Sequence, residues 1–290
     1  MKDFAKYLNS GPADRQWGIY LTVAGKYQSH QYTAYPSTDH PSGYYFDWEN
    51  GRILDEFQLN FITEGKGILE TNGIEYQLKP GSLMLIQPGM KHRYKPTPEQ
   101  GWTEMYVGFN GKLAQHFIQQ TFDEPLQNPV IHLGHQVDIL DSFQKIFDLA
   151  IDQKPAYHQV ASGLILKTLG QINAHLKSEV VKGEEIESLI NDAKAYMWEK
   201  VNDQVDFYEF SKQKHVSYSY FRKVFKLYTD IAPHQFYLDL KIMRAKELIL
   251  STDKPIKEIT YDLGFESIHY FSRLFKKKTG FSPIEIRKVE

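Results

Sequence analysis

The spacing of apolar and polar positions changes character twice along this chain. Between about residues 17 and 110, short runs rich in β-branched and aromatic residues alternate with turn-forming clusters. The stretch FQLNFITEGKGILETNGIEYQLKPGSLMLIQPGMKHRYK is cut by EGKG, TNG, KPG and QPG. Each cut has a backbone reason; Asn72-Gly73, for example, supplies the positive-φ pair of a tight hairpin. Turn signals recurring about every 8–12 residues predict an antiparallel sandwich or barrel rather than a parallel sheet.

From about residue 134 the period lengthens to that of a helix. Val137, Leu140, Phe143, Ile146, Phe147 and Ala150 fall at helical spacing, Pro155 interrupts, and Ala161, Leu164, Ile165, Thr168, Leu169, Ile172 and Leu176 form a second stripe. The pair predicts an αα-hairpin. Its apolar stripes can cover the barrel, each other or a second subunit, and the spacing leaves all three open. KSEVVKGEEIES, which follows, is charged and poor in apolar residues, so it predicts a linker with a domain boundary near 183. The expected organisation is α+β and multidomain: a β-barrel over 1–133, a helical dimerisation hairpin and linker over 134–183, and an all-α domain over 184–290.

The last segment repeats itself. Shifted by 50 residues, Ser217, Tyr220, Phe221, Phe225, Lys226, Thr229 and Pro233 recur as Ser267, Tyr270, Phe271, Phe275, Lys276, Thr279 and Pro283. With a slip of one residue at Glu266, Phe207, Phe210 and Ser211 match Ile256, Ile259 and Thr260. Each copy has the punctuation of a helix-turn-helix: a short helix, a turn (at Gly264 in the second copy), then an N-cap serine opening a second helix. Tyr270, Phe271, Leu274 and Phe275 form the expected buried stripe. The opposite face carries Ser267, His269, Ser272, Arg273 and Lys276, and in the first copy Tyr218, Ser219, Arg222, Lys223 and Lys226. Pro233 is placed for the first turn of a connecting helix, and about 17 residues at 1.5 Å each make a stiff spacer of about 25 Å. Two recognition helices on such a spacer suit successive major grooves about 34 Å apart.

Charge sharpens this picture. The chain carries a formal −2, but residues 211–290 contribute +7 and residues 1–210 contribute −9. A basic unit on an acidic protein is what a polyanion partner such as double-stranded DNA requires, because phosphate contacts release counterions. The acidic remainder disfavours a non-specific architectural binder. Zero cysteines exclude disulfides, thiolate metal sites and cysteine nucleophiles. An N-terminus without an apolar leader core, and no run of about 18 uncharged apolar residues, predict a cytoplasmic chain with no membrane segment.

Residues about 190–290 resemble the DNA-binding domain of the AraC/XylS family of bacterial transcription activators. The family's I-x-x-I-A, G-F-x-S-x-x-Y-F and F-K-x-x-x-G-x-S-P-x-x-x-R pattern is met by Ile256, Ile259, Gly264, Phe265, Ser267, Tyr270, Phe271, Phe275, Lys276, Gly280, Ser282, Pro283 and Arg287. Departures fall at the usual alanine, here Thr260 and Ser211, and at a usual glycine, here Asp230. They bear on a tight helix contact and a loop conformation. Residues 44–110 resemble the cupin-like effector domain of such regulators. The resemblance implies a sugar or similar metabolite as effector, a homodimer, and RNA polymerase as a partner.

Candidate effector contacts are His92 and Tyr94, which share a strand face, and Trp102, Glu104 and Tyr106, which share one parity of the strand GWTEMYVGF; Met105, Val107 and Phe109 take the core-facing parity. Cupin enzymes hold a metal with a His-x-His pair, a carboxylate and a third histidine. Only the last has a counterpart, His92, with His30 and His40 as the only upstream histidines. No metal, cofactor or catalytic residue is therefore expected. The alternative reading is a cupin-type metal-dependent enzyme fused to a DNA-binding tail.

Overall fold

The computed structural model describes residues 3–33, 35, 45–122, 128–180 and 184–288. His40 and Gly183, the expected boundary, lie outside them. The chain divides into two compact units, Met1–His175 and Leu176–Glu290.

Among the described residues the first unit has nine strands: β1 (Phe4–Tyr7), β2 (Tyr20–Ser29), β3 (Phe57–Gly65), β4 (Gly67–Thr71), β5 (Ile74–Leu78), β6 (Ser82–Ile86), β7 (His92–Pro96), β8 (Trp102–Asn110) and β9 (Val130–His132). They form an antiparallel six-stranded sheet, β1-β2-β8-β3-β6-β9, and a three-stranded sheet, β5-β4-β7. Asn72 and Gly73 both have positive φ, +51° and +74°, in the tight turn that pairs Thr71 with Ile74. The inner faces of the sheets meet in one core, with Ile62, Met84, Ile86 and Trp102 from the larger and Leu69, Leu78 and Tyr94 from the smaller.

Helices cover the outer face of the larger sheet. Beside α1 (Pro12–Trp17) and α2 (Lys112–Thr121), which the strand pattern did not signal, the expected hairpin is α3 (Val137–Asp152) followed by α4 (Tyr157–Val180). Ile139, Phe143, Ile146, Phe147 and Ala150 form the buried face of α3, which packs on β2 and β8. Val137 is not part of that stripe: it stands 65% exposed in the first turn, where the helix has not yet reached the sheet. The first turns of α4 are tied to the barrel unit. His158 Nδ1 accepts the Leu21 N–H at 3.1 Å, its Nε2 reaches the Asn9 carbonyl at 3.1 Å, and the Trp17 indole donates to Ser162 Oγ at 2.8 Å. Because helices close one side, β8 is buried on both faces, so the parity expected to be amphipathic is as hidden as the core parity.

The expected polar linker is largely helical. Residues 177–180 finish α4, and residues 184–188 open α5 (Glu184–Glu199), because an exposed helix of charged residues needs no apolar face on those turns. The second unit continues with α6 (Phe207–Gln213), α7 (Tyr218–Thr229), α8 (Pro233–Ser251), α9 (Ile256–Asp262), α10 (Ile268–Thr279) and α11 (Pro283–Arg287). Pro233 sits in the first turn of α8, whose 19 residues span about 28 Å. This helix serves two cores. Tyr237 closes the first, with Phe207, Phe210, Phe221 and Phe225, while Ile242, Ala245 and Ile249 join Ile259, Phe271 and Phe275 in the second.

Candidate functional site

The inner face of the larger sheet holds the barrel's polar chemistry. Trp102, Glu104 and Tyr106 share it, with Asn60 of β3 paired to Tyr106 and Ile62 paired to Glu104. Trp102, Glu104, Tyr106 and Asn60 are all buried. Gly67 and Gly25 make room for the large rings, since a Cβ on either would collide with the Trp102 indole or the Tyr106 ring.

His92 and Tyr94, on β7, face the same interior and stack at 6.1 Å. Arg52 joins them. Its Nε donates to His92 Nε2 at 3.1 Å and its Nη2 to the Tyr94 hydroxyl at 2.7 Å, and its guanidinium lies over the Tyr94 and Phe46 rings. Since His92 Nε2 accepts from Arg52, its Nδ1 carries the proton and donates to the Met90 carbonyl at 2.8 Å. Burial, with the Arg52 charge adding to it, pushes His92 down to about 3, so the imidazole is neutral at physiological pH. Tyr94 is raised to about 12 by burial. His92 is a hydrogen-bonded wall residue, and among the described residues no group of three His, Asp or Glu is arranged to hold a metal ion.

Glu104 is the most perturbed acid in this wall. Burial raises it to about 7, against hydrogen bonding from Tyr35 and the Arg52 charge. Tyr35 donates to Glu104 Oε1 at 3.0 Å, and its ring lies against Trp102, Tyr94 and Phe46. Among the described residues, three buried polar atoms on the inner face have no hydrogen-bond partner: Glu104 Oε2, Asn60 Oδ1 and Trp102 Nε1. Buried polar atoms of this kind cost about 1–3 kcal/mol each unless something answers them. Two acceptors and one donor therefore await complementary groups.

In the helical unit, α7 and α10 are the second helices of the two motifs. Ser217 and Ser267 cap them by accepting the Tyr220 and Tyr270 N–H groups at 3.2 and 3.5 Å. The Ser267 hydroxyl is thus engaged by its own helix. Ser219, Arg222, Lys223 and Lys226 are exposed on α7, as are His269, Arg273 and Lys276 on α10, whereas Ser272 is half-buried and Tyr218 packs against the first core. Lys276 lies 3.9 Å from Glu285. Tyr270 departs from its expected place in the buried stripe: it is 41% exposed, because Phe271, Leu274 and Phe275 alone point at the core and position 270 falls beyond their arc. The two departures at the usual alanine are accommodated locally. Ser211 Oγ and Thr260 Oγ1, both buried, each donate at 2.7 Å to the carbonyl four residues back, that of Phe207 or Ile256.

Comparison with known proteins joins the two surfaces. Residues 34–169 match the AraC-like ligand binding domain, and residues 210–289 match a helix-turn-helix domain. The chain belongs to the AraC family of transcription regulators. The regulator is 28% identical over 242 residues to the MmsAB operon regulatory protein of Pseudomonas aeruginosa, covering 81% of this chain and 76% of that protein. It is 28% identical over 244 residues to the arabinose operon regulatory protein of Escherichia coli, covering 79% of each. To the Msm operon regulatory protein of Streptococcus mutans it is 23% identical, over 81% of this chain and 85% of that one. The regulator is a DNA-binding transcription protein with a ligand-binding domain. No helix among its described residues is long and apolar enough to cross a membrane.

Sequence reasoning missed Asn60, Arg52 and Tyr35. Asn60 had a signal: a carboxamide among the apolar residues of FQLNFI, at the register opposite Tyr106. Arg52 and Tyr35 had none, because they come from segments outside the main strands and are placed by tertiary packing. A cleft of about 440 Å³ lined by Ser29, His30, Glu64, Gln100, Trp102 and Thr103 reaches the edge of this AraC-family barrel.

Proposed function

We propose that this protein activates an operon in response to a polyhydroxylated metabolite, a sugar being the class that fits best, bound in the barrel by Glu104, Asn60, Trp102 and Arg52 with Tyr94, His92 and Tyr106 as walls. The three buried atoms without a partner among the described residues carry this reading. Adjacent hydroxyls donate to Glu104 Oε2 and Asn60 Oδ1 and accept from Trp102 Nε1, while the aromatic rings face the apolar side of a pyranose. The operons of related regulators point the same way: one of those above is an arabinose operon regulatory protein, and another relative is the lactose operon transcription activator of Staphylococcus xylosus.

DNA is read by Ser219, Arg222, Lys223 and Lys226 of the first motif and His269, Ser272, Arg273 and Lys276 of the second. The protein works as a homodimer through the outer face of α4 and recruits RNA polymerase. A thermal-shift panel of pentoses, hexoses, disaccharides and small organic acids tests the effector. A sugar should raise Tm, and Glu104→Ala should abolish that rise. Stabilisation by organic acids alone, retained in Glu104→Ala and lost in Arg52→Ala, would replace the sugar with an anion.

A further inference from the structure

Helix α8 buries a lysine. Lys241 is only 3% exposed, halfway along the helix that connects the two motifs. Its Nζ donates to the backbone carbonyl of Asp203 at 2.7 Å and lies over the rings of Tyr237, at 4.7 Å, and Phe265, at 5.4 Å. One turn earlier on α8 the Tyr237 hydroxyl meets the carbonyls of Lys200 and Asp203. Tyr237 packs edge-on against Phe207 of the first motif, and Phe265 belongs to the second. Gly264, in the turn of the second motif at φ +65°, completes the junction: a Cβ there would stand 3.0 Å from the Asn202 carbonyl, 3.2 Å from that of Asp203 and 3.3 Å from Lys241 Nζ. The loop 200–203, which leads from α5 into the first motif, is thereby held between α8 and the turn of the second.

A buried ammonium is costly unless it is well bonded, and here it is answered by the Asp203 backbone carbonyl and two π faces, with the Asp203 charge nearby. Methionine or leucine would fill the same volume at no desolvation cost. What the ammonium adds is direction: one donor aimed at one carbonyl fixes the loop against the second motif. We propose that Lys241 is a positioning residue that locks the two helix-turn-helix motifs into one rigid pair, and so sets the half-site spacing that the protein accepts. It contacts no base. The spacing consequence rests on the two-motif DNA reading above, whereas the rigidity does not.

The absence of cysteine makes a direct test available. Spin labels on cysteines introduced at the exposed positions Lys212 of α6 and Lys257 of α9 report the distance between motifs in the full chain without DNA. The parent should give one narrow distance distribution. Lys241→Met should broaden it, and Lys241→Arg, which retains a donor, should keep it narrow. Gly264→Ala, which wedges the junction from the other side, should shift or broaden it even if the methionine variant does not fold. An unchanged narrow distribution in Lys241→Met, or in Gly264→Ala should the former not fold, overturns the proposal.

On DNA, duplexes selected by the full chain from a random library are re-made with one to three base pairs inserted between the protected tracts. The parent should lose about tenfold or more in affinity on insertion, and Lys241→Met less than about threefold, with both proteins equal on single tracts. Equal loss on single tracts would mean that Lys241 only supports the fold. A broadened distance with no change in spacing tolerance would uphold the lock and remove the two-tract reading.

Discussion

The two helix-turn-helix motifs share a pattern but not an environment, and the turns show what that costs. Counted back 49 residues, Gly264 corresponds to His215, and Lys241 to Asp192. His215 takes the same left-handed conformation, φ +57°, with a full side chain, and it is exposed. Asp192 stays at the surface, paired with Lys214 at 2.6 Å. In the second motif the turn lies under the loop 200–203, so only glycine fits and the polar partner on the helix is buried. The helix ends do not share this contrast: Gly280 closes α10 at φ +85° and Asp230 closes α7 at φ +63°, and both are exposed, with open space around Gly280. At the turn between the two helices of each motif, the first copy tolerates strain because that turn faces water, and the second is the buried anchor of the pair.

This contrast is breakable in a graded series. Gly264→Ala should cost about 2–5 kcal/mol, combining left-handed strain with overpacking against fixed carbonyls, whereas His215→Ala should be nearly neutral. Denaturant unfolding of both variants checks this, and equal effects would end the distinction between buried and exposed turns.

Buried charge offers a second contrast, between Lys241, whose ammonium is bonded, and Glu104, which has one oxygen unanswered. Because Glu104 titrates near 7 when folded and near 4.5 when unfolded, the folded state holds more protons in that window. Stability should therefore fall as pH rises from about 4.5 to 7, by on the order of 3 kcal/mol, and level off above. Glu104→Gln should remove that slope. An effector that donates to Oε2 lowers the acid again, so binding should strengthen with pH across 7 and release protons, which calorimetry in two buffers detects. A pH profile unaltered by Glu104→Gln would place the titration elsewhere.

On the reading faces the copies should differ in what they recognise but not in weight. Arg222→Ala and Arg273→Ala should each weaken binding to a selected duplex by about 1–3 kcal/mol, each relaxing specificity within one tract only. A loss that is uniform over random competitor DNA would make that arginine a phosphate contact. The smallest effect lies at the strained turn: His215→Gly should stabilise by a few tenths to about 1 kcal/mol, as relief of the left-handed strain is offset by the flexibility glycine adds to the unfolded chain.

How far the sequence could be read followed how local each feature is. Hairpin turns, the helical stripe of α3, the serine caps and the 50-residue repeat depend on neighbours in sequence, and all were legible. The same holds for Trp102, Glu104 and Tyr106 sharing a face, which strand parity dictates. Arg52, Tyr35 and the clamp at Lys241 were not legible, since each depends on segments brought together only by folding. Lys241 is instructive: in the pattern DLKIMRAKE it reads as one more solvated cation, and only the loop lying over it makes it a buried donor. The expected linker is helical where it is described, which its charge alone did not signal. Polarity marks a segment that lacks a core partner, and an exposed helix satisfies that as well as a loop does.

The most direct test of two unlike motifs reading DNA as one unit is a hydroxyl-radical footprint of the full protein on a duplex it selects from a random library. One protomer should protect two tracts of different sequence about one helical turn apart on a single face of the duplex, and Arg222→Ala and Arg273→Ala should each thin a different tract. A palindromic pair of tracts within one protomer's site, or a single tract thinned by both substitutions, would contradict the account.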